Sequence, residues 1–166
     1  MYRYDSAELK RRLGELPATA RVAFALACAE RLTAYSRHSS DSVEYELAKA
    51  ARELGRRYVA GAAIADDELD ALTSRLESSP DIDDDDMAAC AFVLECMSTG
   101  EVQPAVWAAE RALDARERAA ERRMVIKVYT PEIDAALLAD PDTQAELARQ
   151  QADLDALGFD PPSARK

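Results

Sequence analysis

At 166 residues, with 32 Asp and Glu against 21 Lys and Arg and a formal net charge of −11, the chain is long enough for one domain with its own core. Hydrophobic residues make up 48% against five glycines and seven prolines, which excludes a disordered, collagenous or low-complexity chain. Alanine, leucine, arginine and glutamate are abundant while β-branched and aromatic types are sparse. The expectation is therefore an all-α, single-domain multi-helix bundle of about eight helices over residues 1–158, with 159–166 as a flexible C-terminal tail.

Asp5, followed three residues later by Glu8, reads as a capping box opening a short helix that ends near Gly14. Pro17 then starts a long helix with no breaker before Ser39 and Ser40, its apolar face carrying Val22, Leu26, Ala29 and Thr33 beside Phe24, Cys28 and Tyr35. Ser40 or Asp41 caps the next helix, with Val43, Leu47, Ala50, Ala51 and Leu54 inward and Glu44, Lys49, Arg52, Arg56 and Arg57 left for solvent. After the loop VAGAAIA, Asp66 opens a surface helix with a narrow stripe of Leu69, Leu72 and Leu76. Pro80 breaks the chain, Asp83 or Asp84 caps, and Met87 to Met97 form a nearly all-apolar buried helix that stops at Gly100. Pro104 begins the longest helix, in which Val106, Ala109, Leu113 and Ala120 face inward and Arg116, Glu117, Glu121 and Arg122 pair along the outside. MVIKVY, residues 124–129, has strand-like composition, but one isolated run makes no sheet, so it reads as the end of that helix. Thr130 with Pro131 and Asp140 with Pro141 start two more helices, PEIDAALLA and PDTQAELARQQADLDALG.

Nothing in this order suggests export or a membrane span. The N-terminus, MYRYDSAELKRRLGELP, lacks an apolar run of signal-peptide length, and the least charged stretch, Met87 to Val106, is interrupted by Glu95, Ser98, Thr99, Gly100, Glu101 and Pro104. A cytoplasmic location is expected. Cys28, Cys90 and Cys96 are an odd number set in apolar helical text, which suits buried, reduced thiols.

The chemistry is sparse. The sole histidine, His38, stands at the polar end of a helix beside Arg37 and Ser39 and reads as a surface or capping residue. No Gly-rich phosphate loop, Gly-x-Ser-x-Gly elbow, His-Glu-x-x-His or Cys-x-x-Cys occurs, so no catalysis, no cofactor and no metal site are expected. Asp81, Asp83 and Asp85 match positions one, three and five of a calcium loop, but Asp86 replaces the glycine at six and Phe92 the glutamate at twelve.

Charge is concentrated instead. Residues 66–110 hold thirteen acidic side chains and one basic, Arg75, a net −12 beside −11 for the whole chain, so the remainder sums to +1. Such a segment repels nucleic acid and anionic membranes and attracts a basic partner. Asp81, Asp83, Asp84, Asp85 and Asp86 exceed what capping one helix requires, and unpaired buried carboxylates are costly, so these five are expected as a solvated, partner-binding face with Asp66, Asp67, Glu68 and Glu101 as its rim. The alternating charges from Arg111 to Lys127 read as salt-bridge lacing along one helix, with no nucleic-acid stripe.

Two passages carry more than composition. LPATARVAFALACAERLTAY holds Phe24, Cys28, Glu30 and Arg31, and DPDTQAELARQQADLDAL holds Pro141, Glu146, Leu147 and Gln150. Together they resemble the opening and closing helices of a helical immunity family of bacterial polymorphic toxin systems, the one numbered five, and more distantly an uncharacterised helical family, the domain of unknown function numbered 416. The resemblance implies an all-α fold and a protein that neutralises a cognate toxin domain by binding it; the acidic segment points to a basic nuclease. Phe24 and Cys28 would then be core, and Glu30 and Arg31 a polar pair that sets helix register. A non-catalytic helical scaffold or regulator is the alternative. Oligomeric state is not encoded in the pattern.

Overall fold

The computed structural model describes residues 1–158 except 125 and 127, so the tail expected at 159–166 lies outside the described residues. Eight α-helices follow one another: α1 (Ser6–Gly14), α2 (Ala18–Leu32), α3 (Val43–Val59), α4 (Asp66–Glu77), α5 (Asp85–Thr99), α6 (Gln103–Arg123), α7 (Pro131–Ala139) and α8 (Pro141–Gly158). A short 3-10 turn, Thr33–Tyr35, extends α2. The described residues contain no strand. The all-α bundle expected from composition is what forms.

α5 is the axis. Met87, Ala88, Ala89, Cys90, Val93, Leu94, Cys96 and Met97 are all buried and cover most of the helix, while Ala91, Phe92 and Glu95 leave one stripe partly open, so α5 is central with a single side near the surface. It packs against α2, α3, α4 and α6. α2 and α6 complete the centre, and α8 closes the groove between them. Small residues make this spacing possible. At Gly55 on α3, a Cβ would stand 3.0 Å from Val93 Cγ1 and 3.3 Å from Leu26 Cδ1, so the absent side chain is the space in which α2, α3 and α5 meet.

The helix ends follow local chemistry except that Thr130 makes no side-chain cap bond before α7 and two further departures occur at α1 and α5. Asp5 Oδ1 accepts from the Ala7 and Glu8 amides at 3.0 Å each, but Glu8 turns away to Arg11, so the box is one-sided. Gly100 takes the left-handed conformation, φ +68°, that ends α5. Its carbonyl accepts from Arg21 Nη1 at 2.7 Å, while the same guanidinium donates to Leu13 and Gly14 carbonyls at 2.9 and 3.1 Å. One arginine thus satisfies the carbonyl ends of α1 and α5. The second departure is at α5, where Asp84 occupies the N-cap but makes no side-chain cap bond; its carboxylate is used elsewhere.

Five expectations are corrected. The second helix stops at Leu32 and its turn at Tyr35, short of Ser39, and Ser42, not Ser40 or Asp41, caps α3. Thr33, Val43 and Ala50 are exposed, because each lies where its helix has run past its neighbours or turns its far side to solvent. Arg52 and Arg116, assigned to solvent, are 6% and 3% exposed. α6 ends at Arg123, with Met124 already extended at φ −99°, ψ 147°, so the helix does not continue through MVIKVY; Val125 and Lys127 lie outside the described residues.

Replacing Gly55 by valine should destabilise the fold by about 1–3 kcal/mol, as overpacking of a filled core does. Urea unfolding checks this, and a midpoint unchanged from the parent would show that α3 has room to move.

Candidate functional site

A buried polar network lies beneath the surface at the α2–α6–α8 junction. Glu146 on α8 is 0% exposed and sits between two arginines: Arg31 Nη2 is 3.0 Å from its Oε1 and Arg116 Nη2 is 3.2 Å from its Oε2. Gln150, one turn on, donates to Glu146 Oε1 at 3.0 Å and to the Ala109 carbonyl at 3.1 Å. Arg31 also reaches Asp153 at 2.7 Å. The residues quoted from the two ends of the chain therefore meet in space. Glu30 does not pair with Arg31, contrary to expectation; it lies on the exposed side of α2 and accepts from Arg56 at 2.7 Å, because consecutive helical residues point about 100° apart. Cys28, beside this network, is pushed up to about 12 by burial, with Arg31 pulling the other way, so it is an inert thiol.

Arg116 carries the network outward, its guanidinium lying 4.2 Å from the centre of the Tyr35 ring. Tyr35 opens a polar cleft of about 300 Å³ whose walls are the turn after α2, the start of α5 and one face of α6. Here the acidic run is found, and it is not a solvated face. Of its five aspartates only Asp83 is exposed, Asp81, Asp84 and Asp85 are half-buried and Asp86 is buried. Arginines from other elements cross to meet them. Arg37 Nη2 is 2.8 Å from Asp81 and its Nε 2.6 Å from Asp84. Arg118 bonds Asp85, with Arg111 3.5 Å away. Sequence counting missed this because the partners are remote in the chain. The lacing expected along α6 is likewise drawn between helices, with Arg123 reaching Asp140 at 2.8 Å and Asp142 at 3.2 Å.

The remaining site residues are dispersed. Asp66 and Asp67 are exposed at the start of α4, Glu68 is exposed but paired with Arg57 at 2.6 Å, and Glu101 is exposed beyond α5. Glu101 acts with Glu77 to add to the raised titration of Glu95, which burial begins. Unmatched negative charge thus gathers near Glu77, Glu95 and Glu101 as well as on α4. The three would-be calcium ligands are not assembled: Asp81 turns to Arg37, Asp85 to Arg118, and Asp83 to solvent. His38 is also not a surface group, since its side chain is 7% exposed.

Next to the cleft, across Arg111, is a shallower concavity of about 460 Å³ lined by Phe92, Trp107, Glu110, Arg111 and Asp114. Trp107 remains 38% exposed, its ring tilted 44° against Phe92 with centroids 5.3 Å apart. Tyr4 donates to Glu110 at 3.1 Å. Burial pushes the Asp114 carboxyl above its ordinary value, with Arg118 and Arg111 opposing and Asp85 adding to it. Sequence reasoning passed over this site, yet a signal was present: Trp107, Glu110, Arg111, Asp114 and Arg118 recur at helical spacing opposite the inward stripe of Val106, Ala109 and Leu113. A tryptophan on the charged face of a helix is not core.

No helix among the described residues is long and apolar enough to cross a membrane. Compared with protein-family models, with curated proteins and with solved structures, the chain matches none.

Replacing Glu146 by glutamine should cost about 3–5 kcal/mol, because the buried Arg116 guanidinium loses its counter-charge and Arg31 is left with Asp153; a loss under about 1 kcal/mol in chemical unfolding would deny the network that role. Asp114→Asn should act in the opposite direction. A carboxyl whose folded titration lies above its unfolded one opposes folding when ionised, so its removal stabilises at pH 7, and the gain shrinks as pH falls through the folded titration towards the ordinary aspartate range. Melting curves at pH 7 and pH 4 give the comparison.

Proposed function

We propose that this protein is a non-catalytic binding protein that neutralises a cognate toxin domain in the cytoplasm by covering its active site. The observation that carries the reading is the concavity at Phe92 and Trp107 with carboxylates Glu110 and Asp114 on its rim. Tryptophan is enriched among the residues that anchor interfaces, and Trp107 is half-exposed with a second aromatic behind it. With two carboxylates beside it, it offers an inserted lysine or arginine both a π face and a counter-charge. Asp114 is held there although burial opposes its ionisation, which is a cost to folding that a binding role accounts for.

The partner chemistry follows from the charge. A toxin that cleaves nucleic acid holds phosphate with basic groups, and such a surface is drawn to a chain of net charge −11 before it docks. The docking centre nevertheless moves from the aspartate run to the neighbouring α5–α6 face. Asp81, Asp84 and Asp85 are occupied by Arg37, Arg111 and Arg118, whereas Trp107 is 38% exposed with the half-buried Asp114 lining the same concavity. The exposed acids Asp66, Asp67, Asp83 and Glu101 contribute steering. The three free thiols suit a reducing compartment, and the resemblance of the α2 and α8 passages to a toxin-immunity family points the same way.

The reading is tested by co-expression with the toxin domain encoded beside the gene. The native chain should restore growth and bind in a 1:1 complex, and Trp107→Ala should weaken binding about 30-fold or more, as loss of an anchor worth about 2 kcal/mol does. Asp66→Asn with Asp67→Asn should change affinity only about two- to threefold, mostly in the association rate. Absence of any adjacent toxin gene, or full affinity in Trp107→Ala, would overturn it.

A further inference from the structure

His38 lies behind Asp84, a residue of the polar cleft's wall, in the connection between the 3-10 turn and α3. Its side chain is only 7% exposed, and its Nε2 is buried without a hydrogen bond although Asp84 Oδ2 is 2.9 Å away. The two atoms are close but out of line for donation. Two ligands of one ion likewise stand close without bonding each other, about 3.4 Å apart at a tetrahedral ion with bonds of about 2.1 Å, so an ion seated here would spread this pair by about 0.5 Å. Asp86, two residues on, is 5% exposed and lines the same cleft. One donor atom each from His38, Asp84 and Asp86 lie within 4.8 Å of one another. A buried imidazole nitrogen left without a hydrogen-bond partner is costly, and a cation held jointly with the neighbouring carboxylates satisfies it.

We propose that His38, Asp84 and Asp86 form a binding site for a divalent transition-metal ion, with zinc the best match. One imidazole nitrogen and two carboxylate oxygens suit zinc, and also manganese, better than calcium, which takes six to eight oxygens. Three protein ligands leave one position for water, open towards the cleft. The adjoining charges define what binding must displace. Arg37 Nε holds Asp84 Oδ2 at 2.6 Å, but this arginine is 66% exposed and keeps Asp81 as a second partner, so it can release that oxygen. Arg52 is buried on α3 and shares Cys90 as a neighbour with Asp86; its charge holds the affinity below that of an all-anionic site. Glu44 and Asp81 also come within ligand distance of His38 and return negative charge to the surroundings. The ion would tie the loop before α3 to the first turn of α5, where Asp84 occupies the N-cap without capping.

The site is tested on the full chain after chelator treatment. Calorimetric titration with zinc chloride at pH 7 should show one saturable site of micromolar affinity or tighter, with manganese weaker and calcium giving no heat. At a free zinc concentration about a hundred times its Kd, the melting temperature should rise by about 5–10 °C. Cobalt(II) in place of zinc should give visible absorption without a thiolate charge-transfer band, since no cysteine belongs to the ligand set. His38→Gln and Asp86→Asn should each lower zinc affinity at least about 100-fold while melting near the parent in chelator, and Asp66→Asn should change nothing. The parent titration decides the matter even if a variant does not fold. No saturable binding of zinc or manganese would overturn the proposal, leaving His38 as a counter-ion of Asp84 only. Undiminished binding in both variants would overturn it too.

Discussion

The buried carboxylate of Glu146 is the constraint on which the arrangement depends. An ionised group with no exposure costs several kcal/mol to desolvate, and the chain meets that cost with two guanidiniums, one from α2 and one from α6. An apolar seam would let α8 slide by a turn with little penalty; a carboxylate that must find two arginines and a glutamine does not. α8 is therefore held in one register across α2 and α6. The same Arg116 is stacked on Tyr35, while Arg118, two residues on and on the opposite side of α6, meets Asp85 at the start of α5.

The electrostatics change character between chain and fold. Along the sequence, positions 66 to 110 are almost uniformly acidic. In space, the densest part of that run lies under arginines from the turn after α2 and from α6, and it becomes a junction of three elements rather than an exposed patch. The negative charge that stays unmatched belongs to α4, to Glu77, Glu95 and Glu101, and to the rim of the Trp107 concavity. Local charge density in a sequence thus marks where ionic contacts form, while the exposed field is set by which of those charges go unanswered.

Much of the fold was legible because helix punctuation is local. Pro131, Pro141, Gly100 and Asp5 mark helix ends by their own backbone or side-chain chemistry, and the bounds of α1, α7 and α8 follow from them. The nearly all-apolar text of α5 declared burial on most sides, and one stripe through Phe92 and Glu95 is what stays open. What could not be read was long-range: that Arg52 and Arg116 turn inward, that His38 is enclosed, and that Arg31 pairs with Glu146, 115 positions away, and not with its neighbour Glu30. A charged residue in a helical pattern is assigned to solvent unless its partner is known, and the partner is supplied only by the packing. Trp107 was overlooked for the converse reason, since tryptophan is assumed to be core while its stripe-mates are charged.

The three thiols sit at different depths along the packing. Cys96 lies at the last turn of α5, its Sγ 3.5 Å from the Glu101 carbonyl; Cys90 is mid-helix under Arg52; Cys28 is on α2 beside the Glu146 network. All three are shielded and pushed up in titration by burial, to about 11, 11 and 12, so none reacts while the helices are closed. Each becomes reachable through a different opening, namely fraying of the α5 terminus, separation of α3 from α5, or release of α8 from the centre, so a thiol reagent would read those three openings one by one.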